Sequence, residues 1–160
     1  MDKEQTSLAA SEDLIRAVID GGDPFSFKPY GTSMLPVIRE GRDSVSIVRL
    51  DGRAQLYDIL LYKRPNGKFV LHRVIAVGEE DYTLCGDNRV AIERGVGEDW
   101  IIGVLDAIHY PSGKTLTRGT KAFYRAGRRA HRRYPLRRLR AAVCSRLGRI
   151  FKKQRSKKDD

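Results

Sequence analysis

The sequence predicts a mainly β protein, with an antiparallel body, a short N-terminal helix and a basic helical extension at the C-terminus. Three observations carry that expectation. Between about residue 25 and residue 110, short runs rich in Val, Ile, Leu and Tyr are separated by turn signals, with no helical stretches alternating between them. Strong helical spacing of apolar residues returns only after about residue 121. The charge is also split. Residues 114–160 hold 18 of the 31 Lys and Arg and only two acids, so residues 1–113 carry 13 basic against 18 acidic side chains. The overall charge of +11 is therefore a property of the tail, attached to a mildly acidic body. At 160 residues the chain has room for one domain with a core plus an appendage, expected as a body over 1–113 and a tail over 114–160.

A helix is expected over residues 11–20. Ser11 can cap it, Glu12 and Asp13 suit its first turn, and Leu14, Ile15, Val18 and Ile19 form one apolar face before Gly21-Gly22. Phe25-Ser26-Phe27 reads as an extended approach to residues 30–36, where Ser33 lies between small neighbours. Pro36 biases Leu35 against helix, so this segment is expected to stay extended. Strands are expected over 44–50, 58–63, 68–77, 82–85 and 100–110. Pro65-Asn66-Gly67 and Gly78-Glu79-Glu80-Asp81 supply the turns around the third of these, and a glycine-bearing loop is expected before Trp100. Pro111-Ser112-Gly113 marks the change of character. Beyond it, residues 121–153 are helix-compatible, interrupted at Pro135, either as one helix or as two joined at Tyr134-Pro135. Leu136, Leu139, Val143, Leu147, Ile150 and Phe151 recur there at helical spacing among arginines.

Several function classes are excluded at this level. No apolar run approaches the roughly 18 residues that span a bilayer, and the acidic N-terminal residues do not form a signal-peptide pattern. Cys85 and Cys144 lie in segments of different character and lack metal-ligand spacing, which points to free thiols in a reducing compartment. No cofactor and no metal are expected.

The chemistry centres on Ser33, His72 and Asp87. Period two places Val70, His72, Val74 and Ala76 on one face of their strand and Leu71, Arg73 and Ile75 on the other. A histidine on an apolar strand face ordinarily serves structurally, and Asp87 in Gly86-Asp87-Asn88 reads on its own as a turn carboxylate. The following hairpin changes that balance. With Val77 opposite Tyr82, an unbroken ladder places His72 opposite Asp87, where facing Cβ atoms lie about 4.5–5.5 Å apart. A bulge would break this register. In that register Asp87 fixes the imidazole tautomer, and a neutral imidazole is a suitable base for the Ser33 hydroxyl.

Gly31-Thr32-Ser33-Met34-Leu35-Pro36, Leu71-His72-Arg73-Val74-Ile75 and Gly86-Asp87-Asn88-Arg89 occur in the order and spacing of the type I signal peptidase superfamily, which includes the LexA-like self-cleaving repressors. The chain resembles that superfamily over roughly residues 24–110. Most bacterial members use a lysine base. The His-Arg-Val form here is similar to the endoplasmic-reticulum and archaeal type, with its Ser-His-Asp arrangement. The resemblance implies coiled antiparallel sheets and a groove that takes substrate as an extended strand. It implies a serine endopeptidase that processes signal or leader peptides through an acyl-enzyme. Ser33 would be the nucleophile, His72 the base and Asp87 the orienting acid, with Gly31, Thr32, Met34, Pro36, Arg73 and Asn88 around the oxyanion and the groove.

Three departures from the family pattern stand out. Gly31 occupies the position of a serine that assists the oxyanion in many bacterial members. The transmembrane anchor of a housekeeping signal peptidase is not seen. Glu93, Glu98 and Asp99 all remain open as positions for the second acid of some relatives. Two other readings stay open: a LexA-like self-cleaving regulatory protein, and a catalytically inactive peptide-binding β scaffold. For the tail, an anionic membrane surface is favoured over nucleic acid as partner and over a merely solvated extension, which places the protein in the cytoplasm or peripherally on a membrane.

Overall fold

The computed structural model of the chain describes residues 12–156. The Ser11 cap, and the side chains of Leu147, Ile150 and Phe151, lie outside what is described. Helix α1 (Glu12–Asp20) is followed by strands β1 (Phe25–Phe27), β2 (Ser44–Val48), β3 (Ile59–Lys63), β4 (Phe69–Val77), β5 (Asp81–Cys85) and β6 (Ile92–Gly97). A short 3₁₀ turn (Glu98–Trp100) leads into β7 (Ile101–His109) and β8 (Thr115–Thr117), and the chain ends in helices α2 (Lys121–Arg132) and α3 (Tyr134–Ser156). The fold is mainly antiparallel β. All eight strands join one sheet in the order β1-β2-β7-β3-β4-β5-β6, with β8 also paired to β7.

The sheet buries side chains on both faces. On one, Ile59, Leu61 and Leu71 pack with Ile15 and Ile19 of α1 and with Phe123 of α2. On the other, Leu60, Tyr62, Val74, Tyr82, Leu84, Val96 and Val104 form a second apolar core. Four register shifts interrupt the ladders, two of them in the pairings of β5 with β4 and with β6. Each increases local twist and re-aims the side chains beyond it.

Three strands exceed the expected set. β1 forms because Phe25–Phe27 pairs with Val45–Ile47 in the sheet. β6 occupies what reads as a glycine-bearing loop, because Gly95 takes a positive φ inside an irregular pairing with β5. β8 pairs with β7 beyond the Tyr110–Gly113 turn, so the expected boundary between residues 113 and 114 falls within a hairpin of the sheet. The segment after it is tied down further: Arg118 grips the buried Asp58 carboxylate at 2.7 and 3.0 Å, and Phe123 is fully buried. Thr120 caps α2 through its hydroxyl to the Phe123 amide. The helical region divides at Arg133, leaving Pro135 in the first turn of α3, where its missing N–H has no intrahelical partner to lose.

Candidate active site

The serine segment is built from turns. Where continued extension is expected past Ser33, residues 31–38 coil instead: the Leu35 amide donates to the Thr32 carbonyl and the Val37 and Ile38 amides donate to that of Met34. The Leu35–Pro36 peptide is cis. Met34 and Ile38 point into the first core and anchor the segment, leaving Ser33 partly exposed at its crest. Gly31 has φ +94°, a left-handed conformation that disfavours any side chain, which gives a local reason for glycine at this position.

The Gly86-Asp87-Asn88 turn holds this crest from the other side. The Asn88 amide donates to the Ser33 carbonyl at 2.7 Å, and the Asn88 side chain donates to the Thr32 carbonyl at 3.2 Å. Gly86 lies between Ser33 and His72: a Cβ placed on it would stand 2.7 Å from the Ser33 carbonyl oxygen and 3.0 Å from Nε2 of His72. The Ser33 backbone and the His72 ring thus border the same glycine, which has no space for a side chain, and among the described residues no hydrogen bond joins the Ser33 hydroxyl to the imidazole.

Asp87 does not reach His72. Val77 does oppose Tyr82, but a bulge between Val74 and Ala76 shifts the ladder, so that Arg73 lies opposite Cys85. The shift sends Asp87 to the other face of the sheet. There Arg73 binds it as a two-pronged fork at 2.8 and 2.7 Å, with both side chains almost completely buried, and donates a further bond to the Tyr57 carbonyl. Arg73 and Asp87 are therefore a buried structural pair.

The carboxylate beside His72 is Glu93, its Oε1 3.0 Å from Nδ1. Glu93 lies opposite Leu84 on β6, and Leu84 lies opposite Val74 on β4, so Glu93 sits two strands away on the face that carries His72. Arg64 holds it at 2.7 and 2.5 Å, and the Tyr62 hydroxyl approaches Nδ1 at 3.2 Å. Burial works to raise the Glu93 carboxyl, but hydrogen bonds from Arg64 and Tyr62 outweigh it and keep the group below the usual carboxylate range. Burial, and next a hydrogen bond to Glu93, raises the Tyr62 hydroxyl, which stays protonated.

These states decide the tautomer. An ionised carboxylate only accepts, so Glu93, 3.0 Å from Nδ1, favours the tautomer that carries its hydrogen on Nδ1. Nε2 is left bare on the Ser33 side. Burial, aided by the charges of Arg64 and Arg89, lowers the His72 pKa against the opposing pull of Glu93, so the imidazole is neutral near pH 7. A buried, neutral, oriented imidazole is a base ready to take a proton.

A cleft of about 410 Å³ opens over this group, lined by Gly31, Thr32, Ser33 and Met34 on one side and by His72, Arg89 and Glu93 on the other. Pro36, Arg73 and Asn88, also expected around the groove, are not among its lining residues. Glu93, Arg64, Tyr62 and Arg89 are the site residues that sequence reasoning left unassigned. The alternation of Ile92, Glu93 and Val96 was the available signal for Glu93, masked by the bulge in β6.

Among the described residues, the serine–histidine hydrogen bond lies elsewhere. Ser46 Oγ lies 2.8 Å from His109 Nε2. Ser46 is buried and bonded to the Ser26 hydroxyl, while the other nitrogen of His109 meets Thr115. Among the described residues no carboxylate bonds His109, so this contact lacks the orienting acid that His72 has. Comparison with protein-family models, curated proteins and solved structures finds no match to this chain.

Proposed function

We propose that this protein is a serine endopeptidase of signal-peptidase type, with Ser33 as nucleophile, His72 as general base and Glu93, in place of the expected Asp87, as the orienting acid. One observation carries the reading. The Nδ1 of a buried neutral imidazole faces an ionised carboxylate at 3.0 Å, which leaves Nε2 bare toward the serine crest in an open cleft. A histidine serving only structure has no need of that polarity.

Nε2 of His72 takes the Ser33 proton as Oγ attacks the peptide carbonyl carbon. The imidazolium that forms is stabilised by Glu93, which Arg64 holds in place. The tetrahedral oxyanion is assigned to the Ser33 backbone amide, since the turn's own hydrogen bonds use the amides of Leu35, Val37 and Ile38. Collapse expels the amine, which leaves with the proton from His72. Water, deprotonated by the same nitrogen, then cleaves the ester and regenerates Ser33. The Ser-Met-x-Pro and Gly-Asp-Asn elements that suggest the superfamily form the two halves of this cradle. The substrate class that goes with them is an extended signal or leader peptide.

The location belongs to the same reading. Among the described residues no helix is long and apolar enough to cross a membrane. Leu136, Leu139 and Val143 on α3 are nonetheless 67%, 63% and 47% exposed amid arginines, a face suited to an anionic lipid surface. Full-length protein should float with phosphatidylglycerol vesicles and lose that binding on Leu139→Glu. For the activity, purified protein should cleave leader-like peptides with small residues at the scissile bond. Equal rates for wild type and Ser33→Ala would remove the proposal.

A further inference from the structure

Arg89 belongs to two cavities. It lines the cleft that holds Ser33 and His72, and it also lines a neighbouring groove of about 460 Å³ with Asn88, Val90, Arg137, Arg140 and Ala141. The groove is the seam between the β5–β6 loop and α3. It is held shut at its base: the Tyr134 hydroxyl donates to the Val90 carbonyl at 2.9 Å, and Arg137 donates to the carbonyls of Arg89 and Ala130. Arg137 is therefore engaged with backbone. The guanidinium groups of Arg89 and Arg140 are exposed, and among the described residues neither has a carboxylate partner. Arg64, the other cation of the cleft, is taken by Glu93. Two free guanidinium groups thus border the path that leads out of the active cleft past residue 89.

From this placement we infer that Arg89 and Arg140 select substrate peptides carrying an acidic side chain a few residues from the scissile bond, on the side that runs over the β5–β6 loop. The inference rests on the peptidase reading for the identity of the cleft. Guanidinium groups suit a carboxylate because their planar donors match its two oxygens. Arg89 also explains why the preferred acid must keep its distance: its charge lowers the His72 pKa, so a carboxylate drawn close to the imidazole would shift the base itself.

The test uses full-length protein and a set of labelled ten-residue peptides with small residues at the centre, each with Glu, Gln or Lys at one of the four positions on either side. Cleavage by wild type is compared with binding, by fluorescence anisotropy, to the Ser33→Ala form. At one position the Glu peptide should be favoured over Gln by roughly two- to fivefold for each arginine engaged. That preference should fade between low and high salt. Arg89→Glu and Arg140→Glu together should invert it toward a Lys peptide, a result that mere loss of structure cannot produce. Equal Glu and Gln values at every position overturn the inference, as does a reversal variant whose only loss is of anionic-vesicle binding. The two readings fail separately. Absent cleavage bears on the peptidase assignment, while the anisotropy arm still decides the acidic preference.

Discussion

Replacing Glu93 by Gln separates the site described here from the one the hairpin register alone would place. The carboxylate lies 3.0 Å from Nδ1 of His72 and is itself held by Arg64 at 2.7 and 2.5 Å. An amide keeps the shape but can present a donor to Nδ1, which stabilises the tautomer with its hydrogen on Nε2, unable to receive the serine proton. Loss of the orienting carboxylate in a Ser-His-acid site costs about 10⁴-fold in kcat, and at 1.36 kcal/mol per tenfold that is about 5.4 kcal/mol of barrier. Stability should change little. The Arg64–Glu93 pair keeps 33% and 21% of its side-chain surface exposed, and such pairs contribute about 1 kcal/mol or less. Asp87→Asn should do the reverse. Its side chain and that of Arg73 are 2% and 1% exposed, so the change strands a buried guanidinium at a cost of about 3–5 kcal/mol. Steady-state cleavage and thermal melts on both variants provide the assay. The pH profile adds a signed check. The acid limb of kcat/KM reports His72 and should lie below the ordinary histidine value, because burial lowers that pKa. Glu93 is the group that raises it, so Glu93→Gln should move the limb to still lower pH. A Glu93→Gln enzyme within tenfold of wild type, with folded Asp87→Asn inactive, would refute the reasoning.

Gly86→Ala should cost roughly 100-fold in activity, since its methyl would lie 2.7 Å from the Ser33 carbonyl and 3.0 Å from His72 Nε2 and must displace one of them; a rate near wild type would show that the crest can shift freely. Gly127→Ala, whose methyl would stand 2.6 Å from Tyr57 Cβ, should lower stability by about 1–3 kcal/mol in denaturant titration while leaving the rate per folded molecule unchanged. Acid should destabilise the fold through Asp43. Burial raises this carboxyl, but bonds from the Arg39 side chain and amide outweigh it and leave the pKa depressed. The stabilisation is therefore present above the unfolded value of about 4 and is lost as pH falls; melts from pH 7 to pH 3 should show a smaller acid loss in Asp43→Asn than in wild type.

Much of the sheet was legible because alternation and turn residues are local properties. Residues 44–48, 59–63, 69–77, 81–85 and 101–109 form strands within or close to the expected runs, and Val77 opposes Tyr82 as the turn implies. Ser33 and His72, the proposed nucleophile and base, stood out in the sequence for the same reason, as a serine among small neighbours and a polar residue on an apolar strand. The acid was not. A single bulge after Val74 turns the expected His72–Asp87 pairing into Arg73–Asp87 and opens the place beside His72 to a residue two strands away. Bulges depend on how the whole sheet twists, and a one-residue slip exchanges faces completely. The short strands β1 and β8 escaped for a related reason. Three residues carry almost no periodicity, and Thr115–Thr117 becomes a strand only because the edge of β7 beside it accepts the pairing. Arg89 and Arg140 were read as motif and tail, and only the docking of α3 against the β5–β6 loop makes them neighbours.

The central claim is that Ser33 is activated by His72, and covalent labelling tests it most directly. Full-length protein treated with a serine-directed phosphonylating reagent at pH 7.5 and then digested for mass spectrometry should carry one adduct, on Ser33, with the labelling rate collapsing in His72→Ala. No adduct, or one on Ser46 beside His109, would contradict the account.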